Sequence, residues 1–578
     1  MLTDREIAAD LEKLKEIAAG MLAPESPFAI ETKEIDGVEL RVFSKAPRNL
    51  GEIYDLSRKA ADETFLVYLD ERYTFAETFD MARRLARALR EEYRVGKGDR
   101  VAICARNSPE WCLAYMATTM IGAITAPLNS WSTARELEFL IADSGSRLIF
   151  VDPPRLKLLG EAAANLDVVM IKPEDGSGLP ESPCESFCET RELLRRYEPL
   201  SDAELRGFDV QPEDDATLMY TSGSTGNPKG VLSSHRGVIS ALYTWMFVRG
   251  ANDSLYTELV KENWQPAILA NVPLFHVTGS HAQFLISFVS PRKFVMMYKW
   301  DPEVALQLIE RERISIFHGV PTMTWEIMVS ENFERTDLSS LRGVQSGGAP
   351  RPPEHLAMML EKFPPEAIAG LGYGLTETNA IGAIISYKFY ASRPESTGRP
   401  TPPITDLRIV DEEGRELGTN EIGEICIKGP SVMKGYWNQP EATAEVLQDG
   451  WFRTGDIGRL DPLGFLIIMD RAKDIVIRGG ENIACMEVEY AISEHPAVNE
   501  VSVYGIPDDR LGEVPAATVM LKPDRELDTG QLGEFLAERL AAFKIPRAVR
   551  FQHEQLPRTG TGKIAKRELR RLAISSPK

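Results

Sequence analysis

One loop constrains this chain more than any other feature. Leu218–Gly230 reads LMYTSGSTGNPKG: an apolar run enters a Thr/Ser/Gly tract, Asn227-Pro228 turns it, and Lys229 follows. A tract of this kind ends whatever element precedes it and turns the chain back. Glycines allow backbone N–H groups to approach an anion closely and form a nest. The hydroxyls of Thr221, Ser222, Ser224 and Thr225 add donors around Gly223 and Gly226, and Lys229 adds a point charge. The spacing is G-x-x-G-x-x-K-G with no hydroxyl after the lysine, so it is not the Walker A pattern. The tract nevertheless suits a polyphosphate. A flexible linker is the competing reading.

The surrounding pattern is mixed α/β. Residues 3–20 read as an amphipathic helix, with Thr3 and Glu6 at capping-box spacing and Ile7, Leu11, Leu14 and Ile17 on one face. Residues 28–45 alternate like two strands around Asp36-Gly37. Helical stretches Thr74–Glu91 and Pro109–Met120 alternate with apolar strands at 100–105 and 146–151, which implies parallel sheets with crossover helices. Residues 172–186 are polar and turn-rich and read as a surface loop. Beyond about residue 400, Gly and Pro punctuate the short strands DLRIVD, EICIKG and FLIIMD, a β-rich texture. A second shift follows Asp470: strand signals at 475–478, 500–505 and 515–521, helical signals at 487–494 and 530–542, and a basic helix at 564–573. The expected division is a large domain over 1–470, with 1–48 as a helix-and-hairpin extension. A hinge at 471–473 and a small mobile α+β domain over 474–578 complete it.

Charge and cysteine usage narrow the setting. Lys plus Arg number 66 against 86 Asp plus Glu, a net charge of −20, which argues against a nucleic-acid binder held by phosphate contacts. Six cysteines are sparse for 578 residues, so reduced thiols in a cytoplasmic protein are the expectation. Cys184 and Cys188 lack the partners a zinc site needs. The first twenty residues are charged throughout, unlike a signal peptide. The apolar runs FLISFVS and FVMMY fall well short of the ~20 residues that span a bilayer. No transmembrane segment is expected; peripheral membrane contact and a monomeric or homodimeric state stay open.

The loop closely resembles the phosphate loop of the adenylate-forming superfamily, which includes acyl-CoA synthetases, firefly-type luciferases and peptide-synthetase adenylation domains. Further motifs follow in the family's order over residues 50–570: Ser346-Gly347-Gly348-Ala349-Pro350, Tyr373-Gly374-Leu375-Thr376-Glu377, Thr454-Gly455-Asp456, Asp470-Arg471-Ala472-Lys473-Asp474, Gly479-Gly480-Glu481-Asn482, and Pro557 through Lys563 as PRTGTGK. The resemblance implies a large nucleotide-binding domain, a mobile small domain, and ATP, Mg²⁺ and CoA as ligands. It places Tyr373 on adenine beside Gly347, Gly348, Ala349, Pro350 and Gly374. Thr376 goes to the α-phosphate, Glu377 and Thr225 to the metal, and Asp456 to the ribose. Arg471 reaches the nucleotide, Lys473 is the hinge, Gly479, Gly480 and Glu481 meet CoA, and Lys563 approaches the carboxylate and α-phosphate. Where the family often has a proline before the next helix, this chain has Ala484-Cys485-Met486.

The implied reaction is ATP-dependent activation of a carboxylic acid as an acyl-adenylate, then transfer to a thiol. All the ligands are anions, so positive charge must be concentrated locally at Lys229, Arg471, Lys473 and Lys563 on an acidic protein. His276 follows Phe275 where amino-acid-activating relatives commonly carry Asp, which disfavours an amino-acid substrate. With Val277, Thr278, Gly279 and Gly372 it is assigned to the acyl pocket, and an uncharged acyl tail suits these residues. The spelling most resembles bacterial medium- to long-chain fatty acyl-CoA synthetases. An aryl or other bulky acid, a carrier-protein acceptor in place of CoA, a non-catalytic sensor and a luciferase-like oxygenase are the other readings.

Overall fold

The computed structural model describes residues 2–171, 187–221, 228–256, 264–349, 351–478, 481–508, 510–559 and 563–575. The architecture is mixed α/β, with a large N-terminal domain and a small C-terminal one. The loop expected at 172–186 lies outside the described residues.

The N-terminal extension forms as its sequence dictates. Thr3 Oγ1 accepts from Glu6 N at 3.4 Å and Glu6 Oε2 accepts from Thr3 N at 2.8 Å, a reciprocal cap for the helix Asp4–Met21. Ile7 and Leu11 are buried, whereas Leu14 and Ile17 are half-buried. Strands Ile30–Ile35 and Val38–Phe43 pair antiparallel around Asp36 and Gly37, both at positive φ (50° and 78°), as a tight hairpin requires.

Two large sheets form the body. The first has eight strands ordered Gly435–Tyr436, Lys229–Ser234, Asp215–Thr221, Ile124–Pro127, Arg100–Cys104, Leu148–Val151, Asp167–Met170 and Cys188–Glu189. Neighbours are parallel from Asp215–Thr221 onward; the two strands at the other end run antiparallel. The second has nine, with Ile368–Tyr373, Gly343–Gly347, Ile316–Gly319 and Ala267–Ala270 adjacent and parallel in its interior. Helices such as Phe75–Glu91 and Pro109–Met120 cross between strands, and the latter is buried along its whole length. One apolar core fills the space between the two sheets and another covers the outer face of the second.

A third sheet of five strands holds Asp406–Val410, Gly423–Lys428, Trp451–Leu460 and Leu466–Arg471. The chain leaves this sheet at Arg471, passes a short turn at Ala472–Asp474, and enters another sheet at Val476–Arg478. That last sheet, with Val498–Asp508 paired to Gly512–Leu521 and Ala548–Gln552 parallel to the latter, has a core of its own around Val488, Ile492, Val503 and Leu532. The basic C-terminal helix is Lys566–Ser575, starting two residues later than its composition suggests. Ile564 pairs with Arg558, so residues just after Lys563 complete a narrow return instead of starting the helix.

Candidate active site

The phosphate-type loop is the turn of an antiparallel hairpin: Thr221 pairs with Lys229, at the ends of Asp215–Thr221 and Lys229–Ser234. Thr221 Oγ1 donates to the Lys229 carbonyl at 3.4 Å, and Lys229 Nζ lies 4.6 Å from the centre of the Tyr436 ring. Ser222, Gly223, Ser224, Thr225 and Gly226 lie outside the described residues, as do Pro350, Gly479 and Gly480.

Strand Ile368–Tyr373 delivers the Tyr373–Glu377 motif. Tyr373 Oη donates to Asp456 Oδ2 at 2.7 Å, and Arg471 Nε lies 3.3 Å from Asp456 Oδ1. Burial raises the Asp456 carboxyl above its usual range, against the opposing pull of Arg471. Thr376 opens a short 3₁₀ turn, and Glu377 within it is buried. Tyr436 Oη donates to Glu377 Oε1 at 3.0 Å, and burial pushes the Glu377 carboxyl upward. A single buried carboxylate that shares Tyr436 with Lys229 fits Mg²⁺, which binds one or two carboxylates together with substrate phosphates and keeps waters. Among the described residues no cluster of three acidic, His or Cys groups offers a self-sufficient metal cage, in keeping with that mode.

The turn carrying Glu377 is strained and heavily braced. Asn379 and Ala380 both have positive φ, 50° and 63°. Asn379 Nδ2 donates to the Ser431 carbonyl at 2.8 Å and to Ser233 Oγ at 3.2 Å, which fixes its other end as an acceptor. His281 Nε2, 3.1 Å from Asn379 Oδ1, must therefore be the donor, and Ser280 Oγ stands 2.8 Å from His281 Nδ1. Burial holds the His281 imidazole neutral by pushing its pKa down to about 4. Motif reading did not single out His281 and Asn379: they are polar residues adjoining the motifs, and only the fold joins them.

Gly374 backs directly onto this turn. A Cβ there would meet the Ala380 carbonyl carbon at 2.3 Å and its oxygen at 2.5 Å, and both are backbone atoms. Gly374→Ala is expected to cost about 1–3 kcal/mol and to slow ATP turnover. The midpoint of denaturant unfolding and AMP release check this; an unchanged midpoint would show that the turn relaxes freely.

Lys563 enters from the small domain. Thr559 N donates to the Lys563 carbonyl at 2.7 Å and Ala565 N to the Pro557 carbonyl at 2.7 Å, so Lys563 sits at the closing pair of a narrow return. Lys563 Cε lies 3.7 Å from where a Cβ on Gly348 would sit. Burial, reinforced by Arg471, pushes the ammonium pKa down to about 8, with Asp456 opposing. Lys473 is exposed in the turn Ala472–Asp474, and Glu481 is paired with Arg478 in the small domain's sheet.

His276 completes the group. Asn107 Nδ2 donates to the Ala270 and Val272 carbonyls and its Oδ1 accepts from Leu274 N, pinning the turn before it. His276 Nε2 is buried and has no hydrogen-bond partner among the described residues. Burial, and then the charge of Lys563, hold its pKa down to about 3. Val277 and Gly279 are buried and Thr278 half-buried on the next helical turn, and Gly372 pairs with Gly347 on adjacent strands. Residues from seven parts of the sequence thus converge: Lys229, His276, Gly347–Gly348, Tyr373–Glu377, Asp456, Arg471 and Lys563.

A family model described as AMP-binding enzyme matches residues 55–437, and one described as AMP-binding enzyme C-terminal domain matches 487–563. The chain belongs to the AMP-binding enzyme family. Curated relatives in this family include a feruloyl-CoA synthase from Amycolatopsis, 35% identical over 506 residues that cover 86% of this chain and 93% of that protein. A long-chain-fatty-acid–CoA ligase from Bacillus subtilis is 34% identical over 542 residues, 89% of this chain and 92% of the relative. Among solved AMP-binding enzymes, the anthranilate CoA ligase AuaEII with anthranoyl-AMP superposes with a TM-score of 0.79 at 26% identity, covering 91% of this chain and 97% of that one.

Proposed function

We propose that the chain is an ATP-dependent acid–CoA ligase. The observation that carries this reading is the placement of Lys563, on the small domain, beside Gly348 and the Asp456–Arg471 pair of the large domain. In the first half-reaction a carboxylate oxygen attacks the ATP α-phosphorus, the bond to the bridging oxygen breaks, and pyrophosphate leaves with the electron pair. In the second, a CoA thiol sulfur attacks the acyl carbonyl, the proton goes to solvent, and AMP departs.

Both steps need placement and charge stabilisation more than an enzyme nucleophile. Lys563 and Lys229 serve the phosphoryl oxygens and Thr376 the α-phosphate. Asp456 accepts from the ribose hydroxyls, and Tyr373 lies along the base with Gly347, Gly348 and Ala349. Glu377, with Thr225, would hold Mg²⁺, whose charge offsets that of the polyphosphate. The hinge lies at 471–473 around Lys473, and the small domain from 474 turns about it, so that the strand carrying Glu481 faces CoA in the second step. His276, with the Val277–Gly279 turn and Gly372, borders the acyl group. The relatives named for feruloyl and long-chain fatty substrates support an aryl and an alkyl acid alike, the latter being the reading favoured by the motif spelling. The acidic surface and reduced thiols suit the cytoplasm.

The test is incubation with ATP, Mg²⁺ and a panel of carboxylic acids, with and without CoA, reading AMP and thioester. Thioester formed with CoA is the expected result. Thioester only with an acyl carrier protein would replace CoA as acceptor, and absence of AMP release with every acid would sink the ligase reading.

A further inference from the structure

The strands Ile316–Gly319, Gly343–Gly347 and Ile368–Tyr373 sit in the interior of the nine-stranded sheet. Their register sets His318 opposite Gln345 and Gln345 opposite Gly370. On the outer face, Phe317, Val344, Ala369 and Leu371 are buried in an apolar core. The inner face faces the core between the sheets, where the neighbouring Ile268 and Ala270 are fully packed. Yet His318 and Gln345, mid-sheet on that inner face, are only half-buried. The two side chains are therefore not sealed into the core as their neighbours are. Alternation puts Gly347 and Gly372 on the same face, one repeat nearer the strand ends. Gly348, against which Lys563 lies, directly follows that row.

Gly347 and Gly372 put no side chain on this wall beside Gln345 and His318. Gln345 lies across Gly370 so closely that a Cβ there would fall 2.1 Å from its Oε1. Among the described residues neither the Gln345 amide nor the His318 ring has a hydrogen-bond partner. Burial keeps the ring neutral, its pKa pushed down to about 4, so it offers one donor and one acceptor. A methylene chain laid on this wall would desolvate two polar side chains and pair with neither, a costly arrangement. A planar ring suits the glycine surface, and a hydroxyl on it can donate to one group and accept from the other.

We infer that the acyl group selected by this chain is aromatic and carries a hydroxyl read by Gln345 and His318, roughly 7 Å along the strands from the Gly347–Gly372 row. The inference rests on the ligase reading and names its substrate class.

The experiment measures kcat/KM for thioester formation from 4-hydroxycinnamate, cinnamate and decanoate. The expected result for the native chain is a preference of at least about tenfold for the hydroxylated ring over the bare one, with decanoate poorer than either. In Gln345→Leu and in Gly370→Ala, which displaces the amide without removing it, the hydroxyl preference falls toward unity. The ratio is taken within one preparation, so partial misfolding cancels; if neither variant folds, the native ratio decides alone. A native ratio near one, or decanoate preferred, overturns the inference and leaves the ligase reading standing. No AMP release from any of the three acids overturns the inference, and the ligase reading falls with it only if the wider panel of acids is silent too.

Discussion

Replacing Lys563 with alanine is expected to slow acyl-adenylate formation by about 10³-fold, while thioester formation from a supplied acyl-adenylate keeps its rate. The asymmetry follows from geometry. Lys563 reaches Gly348 and the Asp456–Arg471 pair only because the small domain presents that narrow return there. In the second half-reaction charge builds on the acyl carbonyl oxygen and then on the departing AMP, and under the proposed hinge rotation Lys563 has by then been carried away from that phosphate. The same lysine sets a pH dependence. Its pKa is depressed to about 8, and only the protonated form supplies charge. kcat/KM for adenylation should therefore fall as pH rises through about 8, and kcat should fall at higher pH because bound phosphates favour the cation. Lys563→Arg should carry the plateau upward, since guanidinium stays charged. Separate assays of the two half-reactions check this; equal loss of both in Lys563→Ala would refute the division of labour.

Glu377→Gln is expected to lower adenylation by about 10²–10³-fold and to raise the Mg²⁺ concentration needed for half-maximal rate. The substitution keeps the shape and the contact with Tyr436, which can still donate to the amide oxygen. It removes only the charge, so the bracing of the turn by Asn379 and His281 should survive. A Mg²⁺ titration of rate, with unfolding as control, distinguishes loss of the cation from loss of the turn. An unchanged Mg²⁺ midpoint would remove Glu377 from the metal site.

The sequence carried more of the chemistry than of its support. Tyr373, Asp456, Arg471 and Lys563 sit in contiguous motifs whose residue types already state what they could bind. The fold brings them together, with Tyr373 on Asp456 and Lys563 at Gly348. Helix ends were legible where a local cap decides them, as with Thr3 and Glu6. The bracing was not legible, because His281 and Asn379 are 98 residues apart and their hydrogen bond exists only after both sheets have formed. The His318–Gln345 row was hidden for a related reason. Each residue alone is an ordinary polar interruption of a strand, and only the register of parallel neighbours sets them side by side. The C-terminal helix was placed early because Ile564 looks helical in sequence but is claimed by its cross-strand partner Arg558.

The clasp of Tyr373 and Arg471 on Asp456 has a reciprocal consequence. This carboxylate is engaged on both oxygens, by a large-domain phenol and by the last residue before the turn into the small domain. A ribose that takes Asp456 does so in competition with Arg471, so nucleotide occupancy and the conformation of the joint share one acceptor. By linkage, whatever factor the nucleotide applies in freeing Arg471, an Arg471 held in place applies in return against the nucleotide. Release of AMP would then restore the joint without any further signal, so the end of one turnover prepares the posture for the next.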